Sequence, residues 1–588
     1  MPPAFPARQG LNPPRTYAPA VDTAASDLIK TARAWAADDP DPGTRAELEA
    51  LIDGADTAAL AERFTTPLTF GTAGIRGTLG AGPGRMNRAV VRRVSAGLAA
   101  RVKAEAGAGQ PLVVVGRDAR HGSAELARDA AAVLVGAGLR VLRFPEPVPT
   151  PLVAFAVRHL DAAAGVVVTA SHNPASDNGY KVYWSQGAQI VAPLDAEIAA
   201  AAAAVPAGAD LPLGGDIADL GAELSEAYLA ATLPLVRPGP RDLRIAYTPL
   251  HGVAGRMLQG LLRRAGFDDL HVVPSQFEPD PDFPTVGFPN PEEPGAMDAV
   301  LDLASAIAAD LVLANDPDGD RIAVAVPAPS GGFQPLTGDE IGCVLAEALL
   351  ARTAGPATVA TTVVSSQLLA RIAQSHGADY AETLTGFKWL AGAAAEAEAA
   401  GRPLVLAYEQ ALGVMCGSVV RDKDGLSAAL VMAALAAERK AVGSSILAAL
   451  DELAVRHGLH LTTGRSARLE GAEGQAAIAS ALARLRSEPP SSIAGVEVIA
   501  WDDHAAGSRR RADGAVEVLA TPPTDLLGFR LADGSRAQVR PSGTEPLLKA
   551  YLEIVEPVTD GDVAAARTSG TARLERLADA FADLALPR

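Results

Sequence analysis

Short apolar runs alternate with amphipathic stretches along most of the chain, and one version of this alternation occurs three times. The first copy has an apolar run at residues 112–115, a helical pattern at 124–135, the turn Gly136-Ala137-Gly138 and a second apolar run at 139–144. The second copy has 243–247, 253–264, the turn Ala265-Gly266-Phe267 and 270–273. The third has 357–364, 367–374, the turn His376-Gly377-Ala378 and a run that ends near Thr383. Each copy continues through another helix into a short buried strand, at 165–169, 310–314 and 403–407. Strand-length runs alternating with helix-length patterns predict parallel α/β units joined by right-handed crossovers.

The flanks differ from this pattern. Residues 1–20 are rich in proline and predict a disordered tail, and residues 22–64 predict helices interrupted at residues 38–43. After Asp451 the period changes. Strands at 466–469, 496–500, 528–531 and 537–539 and helices at 475–485 and 564–584 predict a smaller α+β unit, with the polar stretch 501–519 as a loop. The fold class expected is α/β: three related α/β domains with mixed, mainly parallel sheets, followed by a smaller C-terminal α+β domain. In open α/β sheets ligands bind beyond the carboxyl ends of the strands. The three segments that follow the short buried strands can therefore line one shared cleft.

Composition narrows the function. A chain of 588 residues is too long for one core, and about three to five domains are expected. A net charge of −18 and a pI near 5.0, without a sustained basic stripe, argue against nucleic-acid binding. An anionic small ligand still fits where cations gather locally. Cys343 and Cys416 are the only cysteines, which excludes a disulfide framework and suits a reducing compartment. The N-terminal stretch lacks the apolar core of a secretory signal, and apolar runs such as 428–437 are shorter than the roughly 20 residues of a spanning helix. A soluble, cytoplasmic protein with no membrane partner is expected. Arginine outnumbers lysine 44 to 7, so a retained lysine points to a need for a compact, titratable ammonium. Lys181, Lys388, Lys423 and Lys549 all fall in or beside the motifs below.

The first post-strand segment reads Thr169-Ala170-Ser171-His172-Asn173-Pro174. Its position and small neighbours predict an exposed Ser171 hydroxyl, as a nucleophile or phosphoryl carrier requires, although a plain Ser/Asn/Pro turn has the same composition. Lys181 follows in Asn178-Gly179-Tyr180-Lys181 and can supply a cation or a proton, while His172 reads as a neighbour of the serine. The second segment, Asn315-Asp316-Pro317-Asp318-Gly319-Asp320-Arg321, has carboxylates at alternate positions. In a straight strand these would stand roughly 6.6 Å apart, but Pro317 and Gly319 let the chain curl so that they converge. Hard oxygen ligands suit Mg²⁺ or Ca²⁺. An EF-hand is excluded, because Arg321 stands at the sixth position and Pro327 at the twelfth. The third segment supplies Glu409, a candidate hydroxyl acceptor for a sugar.

Three further strings carry candidate chemistry. Arg540-Pro541-Ser542-Gly543-Thr544 offers a guanidinium, two hydroxyls and backbone N–H groups, a phosphate cradle that is not a P-loop. Gly71-Thr72-Ala73-Gly74-Ile75-Arg76-Gly77 can deliver an arginine to an anion. Lys423, in Asp422-Lys423-Asp424-Gly425, is either a phosphate cation or a salt-bridged turn. His251, in a further post-strand turn, has no assigned role.

Together these strings resemble the α-D-phosphohexomutase superfamily of phosphoglucomutases and phosphomannomutases, in the family's order from about Phe70 to the C-terminus. Gly71–Gly77, Thr248–Gly252, Gly386–Trp389 and Tyr408–Gly413 look most like the long phosphoglucomutase and phosphopentomutase branch. The resemblance implies four domains around a central cleft: 21–236 with a phosphoserine loop, 237–345 with a metal loop, 346–460 with a sugar-binding loop and 461–588 with a phosphate-binding loop. It implies a phosphorylated Ser171 whose phosphate, with Asp316, Asp318 and Asp320, holds Mg²⁺. Lys181 matches the family's acid/base lysine, beside His172, and Arg76 and Arg321 steady the transferring phosphoryl group. Arg540, Ser542, Gly543 and Thr544 hold the other phosphate, with Lys423 nearby, while Thr385, Gly386, Lys388 and Glu409 face the sugar.

The implied activity is a mutase that interconverts sugar 1-phosphate and sugar 6-phosphate through a sugar bisphosphate, which is both intermediate and activator. A phosphorylated monosaccharide is its partner, and a monomer or a dimer is consistent with the pattern. Ala411 stands where many hexomutases carry a serine, and Gln410 where a second glutamate is common, which leaves the sugar open. Glucose phosphates are the first expectation and mannose phosphates the next. A phosphopentomutase or a sugar-1,6-bisphosphate synthase are the alternatives.

Overall fold

The computed structural model describes residues 21–71, 74–107, 109–205, 211–469, 471–542 and 547–586. The tail expected at residues 1–20 lies outside them. Three of the sheets share one topology. Their parallel strands lie side by side in the order Ala164–Val168, Leu112–Arg117, Arg140–Arg143 in the first sheet. The same order holds for Leu311–Ala314, Ile245–Thr248, Leu270–Val272 in the second and Leu404–Glu409, Thr358–Thr362, Asp379–Thr383 in the third. An antiparallel strand then returns beside the first-named one in each case: Asp177–Trp184, Ala323–Pro327 and Gly413–Cys416. The predicted repeats are thus one supersecondary unit, built three times. The three motif segments are the same turn of that unit, between its last parallel strand and the returning strand.

The inner strands are buried because both faces of each sheet are covered. Ala164–Val168, Leu311–Ala314 and Thr358–Thr362 are buried at every position. The helix Gly425–Ala441 is buried on all sides over its first thirteen residues, which explains why it reads as apolar without amphipathic period. Asp424 caps it by accepting from the N–H groups of Leu426 and Ser427 at 3.1 and 3.2 Å. One apolar core runs through all three units, from Val114 and Val167 through Ile245 and Leu313 to Val359, Leu406 and Leu430.

The fourth sheet has the order Leu459–Arg468, Leu547–Glu556, Arg536–Pro541, Leu527–Leu531, Val496–Asp503, Ser508–Arg511, Val516–Val518. Every pairing in it is antiparallel. The loop expected at 501–519 is corrected here. Ser508–Arg511 and Val516–Val518 are strands, held by cross-strand polar contacts in place of a buried face. Arg509 Nε donates to Asp502 at 2.6 Å, and the Arg510 guanidinium lies 5.7 Å from the Trp501 ring centroid. The strand Leu547–Glu556, which no sequence signal singled out, is the inner neighbour of the first strand in this sheet. Among the described residues no helix is long and apolar enough to cross a membrane.

Leu430 is fully buried in the continuous core. Replacing it with alanine should cost about 2–5 kcal/mol. Urea denaturation followed by circular dichroism should show an earlier midpoint for the transition of the first three units, and an unchanged midpoint would exclude this helix as their common support.

Candidate active site

The second post-strand turn curls as its residue types require. Gly319 takes a φ of +71°, and a Cβ there would meet Ala254 Cβ at 3.0 Å and Pro149 Cβ at 3.3 Å. The turn brings one oxygen each of Asp316, Asp318 and Asp320 within 4.8 Å of one another, all three residues being buried. Three partners from the first unit meet this cluster. Ser171 Oγ donates to Asp316 Oδ2 at 2.9 Å, Thr150 Oγ1 donates to Asp318 Oδ2 at 2.7 Å, and Lys181 Nζ reaches Asp318 and Asp320 at 2.7 and 2.9 Å. Lys423 of the third unit lies 3.2 Å from Asp320. Burial and the fields of Asp318 and Asp320 push the Asp316 carboxyl well above the usual range. Against the same burial, Lys181, Lys423 and Arg321 hold Asp320 below it. Asp318 Oδ1 and Asp320 Oδ1 are buried with no hydrogen-bond partner. Buried carboxylate oxygens that converge without donors are the donor set of a hard divalent cation, so these residues fit a metal.

Ser171 itself is buried, which corrects the expectation of an exposed hydroxyl. The turn folds down onto the carboxylates instead of standing out from the strand. Ser171 occupies the left-handed region at φ +54°. Arg120, from the segment after Leu112–Arg117, holds it there: its guanidinium donates to the carbonyls of Ser171 at 2.7 Å, Pro174 at 2.6 Å and Asp177 at 3.2 Å, and to that of Asn173. The second neighbour of Ser171 Oγ is His172 Nδ1, at 3.1 Å. Burial, then Arg321 and Arg76, lower the His172 pKa well below its ordinary value, so the ring is neutral at pH 7.

Above Ser171 opens a cavity of about 170 Å³. Arg76 and Ser171 line it from the first unit, Arg321 from the second, Glu409 and Lys423 from the third, and Arg540 and Ser542 from the fourth sheet. Arg76 Nη1 donates to Asn173 Oδ1 at 3.1 Å, and Arg321 Nη1 donates to the Ala411 carbonyl at 3.0 Å. Glu409 Oε1 accepts from the N–H of Gly386 at 2.7 Å, and Thr385 and Gly386 line the wall beside it. Lys388 is absent from the lining and lies 3.8 Å from Asp195 of the first unit. Gly543 and Thr544 fall outside the described residues. His251 Nε2 lies 2.8 Å from Thr285 Oγ1, away from the cavity lining.

Four residues escaped the sequence reading. Arg120 and Thr150 act on the motif loops from other turns of the fold, and no local pattern marks them. Gln189 lines the cavity and donates to Asp422 Oδ2 at 2.7 Å; Tyr551 lines it beside Lys549. An isolated amide and an alternating tyrosine carry no sequence signal for this.

Family models match the chain in four consecutive pieces. The models for phosphoglucomutase/phosphomannomutase alpha/beta/alpha domains I, II and III match residues 67–207, 226–331 and 337–453, and the model for the C-terminal domain matches 505–569. The chain belongs to the phosphoglucomutase/phosphomannomutase family. It is therefore an enzyme of the phosphomutase class, an intramolecular phosphotransferase. A Haemophilus influenzae relative of this family, named "Probable phosphomannomutase", is 39% identical over 475 residues, covering 80% of this chain and 93% of its own. A Schizosaccharomyces pombe relative, named "Probable phosphoribomutase", is 36% identical over 544 residues, covering 88% and 92%. The solved structure of a phosphoglucomutase/phosphomannomutase family protein from Burkholderia thailandensis shares the fold, with a TM-score of 0.62 at 24% identity over 87% of this chain and 97% of that one.

In this mutase the single guanidinium of Arg120 carries four carbonyls of the serine turn. Arg120→Met should release that turn and lower mutase activity about 100-fold or more, by the misplacement of one reacting group. Steady-state assay with far-UV circular dichroism as the control for folding measures this, and activity within threefold of wild type would remove Arg120 from the role.

Proposed function

We propose that this mutase moves a phosphoryl group between O1 and O6 of a sugar phosphate by way of phosphoserine 171, with Mg²⁺. The observation that carries the reading is that Ser171 Oγ, 2.9 Å from Asp316, lines the same cavity as Arg540, Ser542 and Lys549. A phosphoryl carrier and a separate anion grip in one cavity suit a substrate with phosphate at either end. Asp316, Asp318, Asp320 and a phosphoserine oxygen would hold Mg²⁺, which when bound supplies positive charge to the transferring phosphoryl oxygens.

The chain's own residues do the rest. Arg76 and Arg321 steady the equatorial oxygens as the bond from phosphorus to Ser171 Oγ breaks and the bond to the sugar hydroxyl forms. The sugar hydroxyl loses its proton and Ser171 Oγ gains one. Neutral His172, at 3.1 Å from Ser171 Oγ, is a carrier for that proton, and Lys181 is ion-paired with Asp318 and Asp320 beside it. Glu409 orients the ring by accepting from its hydroxyls. The sugar bisphosphate turns within the cleft, and the serine takes back the other phosphoryl group. Burial of Ser171 protects the phosphoserine from water.

Glucose 1-phosphate is the proposed first substrate. Ala411 offers no side-chain hydrogen bond to the sugar, so discrimination against pentose phosphates is expected to be weak. Ala411→Ser should shift the kcat/KM ratio towards the hexose by about 1 kcal/mol if one neutral hydrogen bond is gained, and an unchanged ratio between glucose 1-phosphate and ribose 1-phosphate would exclude residue 411 as a reader of the sugar.

The carrier is tested more directly. Intact mass before and after treatment with glucose 1,6-bisphosphate should reveal one added phosphate in wild type and none in Ser171→Ala. Asp318→Asn should lose activity by orders of magnitude with its fold intact. Phosphate that persists on Ser171→Ala, or full turnover in excess chelator, would sink the mechanism.

A further inference from the structure

Residues 363–367, just beyond the strand Thr358–Thr362, are gripped from two sides. On the cavity side Ser365 Oγ donates to Gln410 Oε1 at 3.1 Å and accepts from the Gln410 N–H at 3.2 Å. Gln410 lines the cavity next to Glu409. The second grip is the fourth sheet. Arg536 Nη1 donates to the Val363 carbonyl at 2.8 Å and Nη2 to the Ser365 carbonyl, while Gln538 Nε2 donates to the Val363 carbonyl at 2.8 Å. Glu553 accepts from Ser366 Oγ at 2.7 Å, from the Gln367 N–H at 2.8 Å, from Gln367 Nε2 at 3.1 Å and from Arg536 Nη2 at 3.0 Å. Arg536, Gln538, Glu553 and Ser366 are all buried.

The strands that carry this node are the ones that carry the anion grip. Arg536 pairs with Glu553 and Arg540 with Lys549 in the register of Arg536–Pro541 against Leu547–Glu556. Four residues of extended chain put the two pairs about 13 Å apart, on a rigid two-strand lever. A buried ion pair contributes little net stability, but its hydrogen-bond geometry is demanding. An apolar contact of the same area would hold the sheet without fixing its angle.

We propose that the Arg536–Glu553 node is a positioning device that sets the span between the sugar-facing loop at Glu409–Ala411 and the anion grip at Arg540 and Lys549, and with it the length of sugar phosphate accepted. The proposal rests on the mutase reading above. Arg536, Gln538, Glu553 and Ser366 are positioning residues: they act through residues 363–367 and through their own strands.

Removing one partner of the ion pair threatens the fold itself, so the test uses Gln538→Met, which deletes the bond to the Val363 carbonyl, and Ser366→Ala, which deletes the bond to Glu553 and the one accepted from the Leu368 N–H; both keep the pair. Glucose 1-phosphate and ribose 1-phosphate are the probes, with thermal unfolding and intact mass measured alongside. KM for both sugars should rise about three- to tenfold, the worth of one hydrogen bond. The kcat values should stay within about twofold, because the transferring groups sit on the first two units, and the hexose-to-pentose ratio of kcat/KM should move by about threefold or more. A lowered Tm with KM and the ratio unchanged would make the node merely structural and overturn the proposal. Wild-type enzyme that takes up no phosphate from glucose 1,6-bisphosphate would overturn the mutase reading instead, a result visible by mass before any variant is assayed.

Discussion

Three carboxylates buried within 4.8 Å of one another cannot persist alone. An uncompensated charge in the interior costs several kcal/mol, and each neighbour of like sign adds to it. The compensation comes from every side of the turn. Lys181 arrives on the returning strand of the first unit, Arg321 follows the aspartates in the second, and Lys423 reaches in from the third. The charge balance thus requires three units of the chain to meet at one point. The backbone permits the meeting only because residue 319 has no side chain: Ala254, Pro149 and Leu426, one from each unit, close around it.

From this junction the division of labour follows. The first two units carry the serine, its turn and the carboxylates, and share one continuous core with the third. That core makes the reacting end rigid. The fourth sheet has its own core around Phe529, Leu552 and Phe581, and it meets the third unit through small apolar contacts such as Val363 and Val364 with Leu526 and through the bonds of Arg536, Gln538 and Glu553 to residues 363–367. Glu553 is held at about 2, because Arg536, His460 and Ser366 overcome the effect of burial, and it remains ionised throughout the neutral range.

The candidate site was legible where its residues sit in one turn of the chain. Ser171 and the three aspartates follow buried strands and Glu409 ends one, and the residues at the carboxyl end of such a strand are delivered to a sheet edge. Arg540 and Ser542 were marked by their own cluster of donors. Lys388 shows the limit of such reading. It stands in a motif, yet its ammonium lies beside Asp195, because a long side chain at a helix start is directed by whatever partner packs opposite. Arg120 and Thr150 show the converse, since each serves a motif from a turn that has no motif of its own.

The sequence by itself determined the three repeated α/β units, the turns that carry chemistry and the donor types gathered in each. These depend on local periodicity, on glycine and proline, and on residues a few positions apart, all of which a linear pattern records. The tertiary structure alone decided that Ser171 is buried, that its hydroxyl meets Asp316 across 145 positions of chain, and that the polar stretch after Trp501 forms the last two strands of the fourth sheet. It also decided which cations the carboxylates receive and which strands fix the fourth sheet. Those outcomes turn on desolvation and hydrogen-bond geometry between distant segments, quantities that exist only once the units have packed against one another.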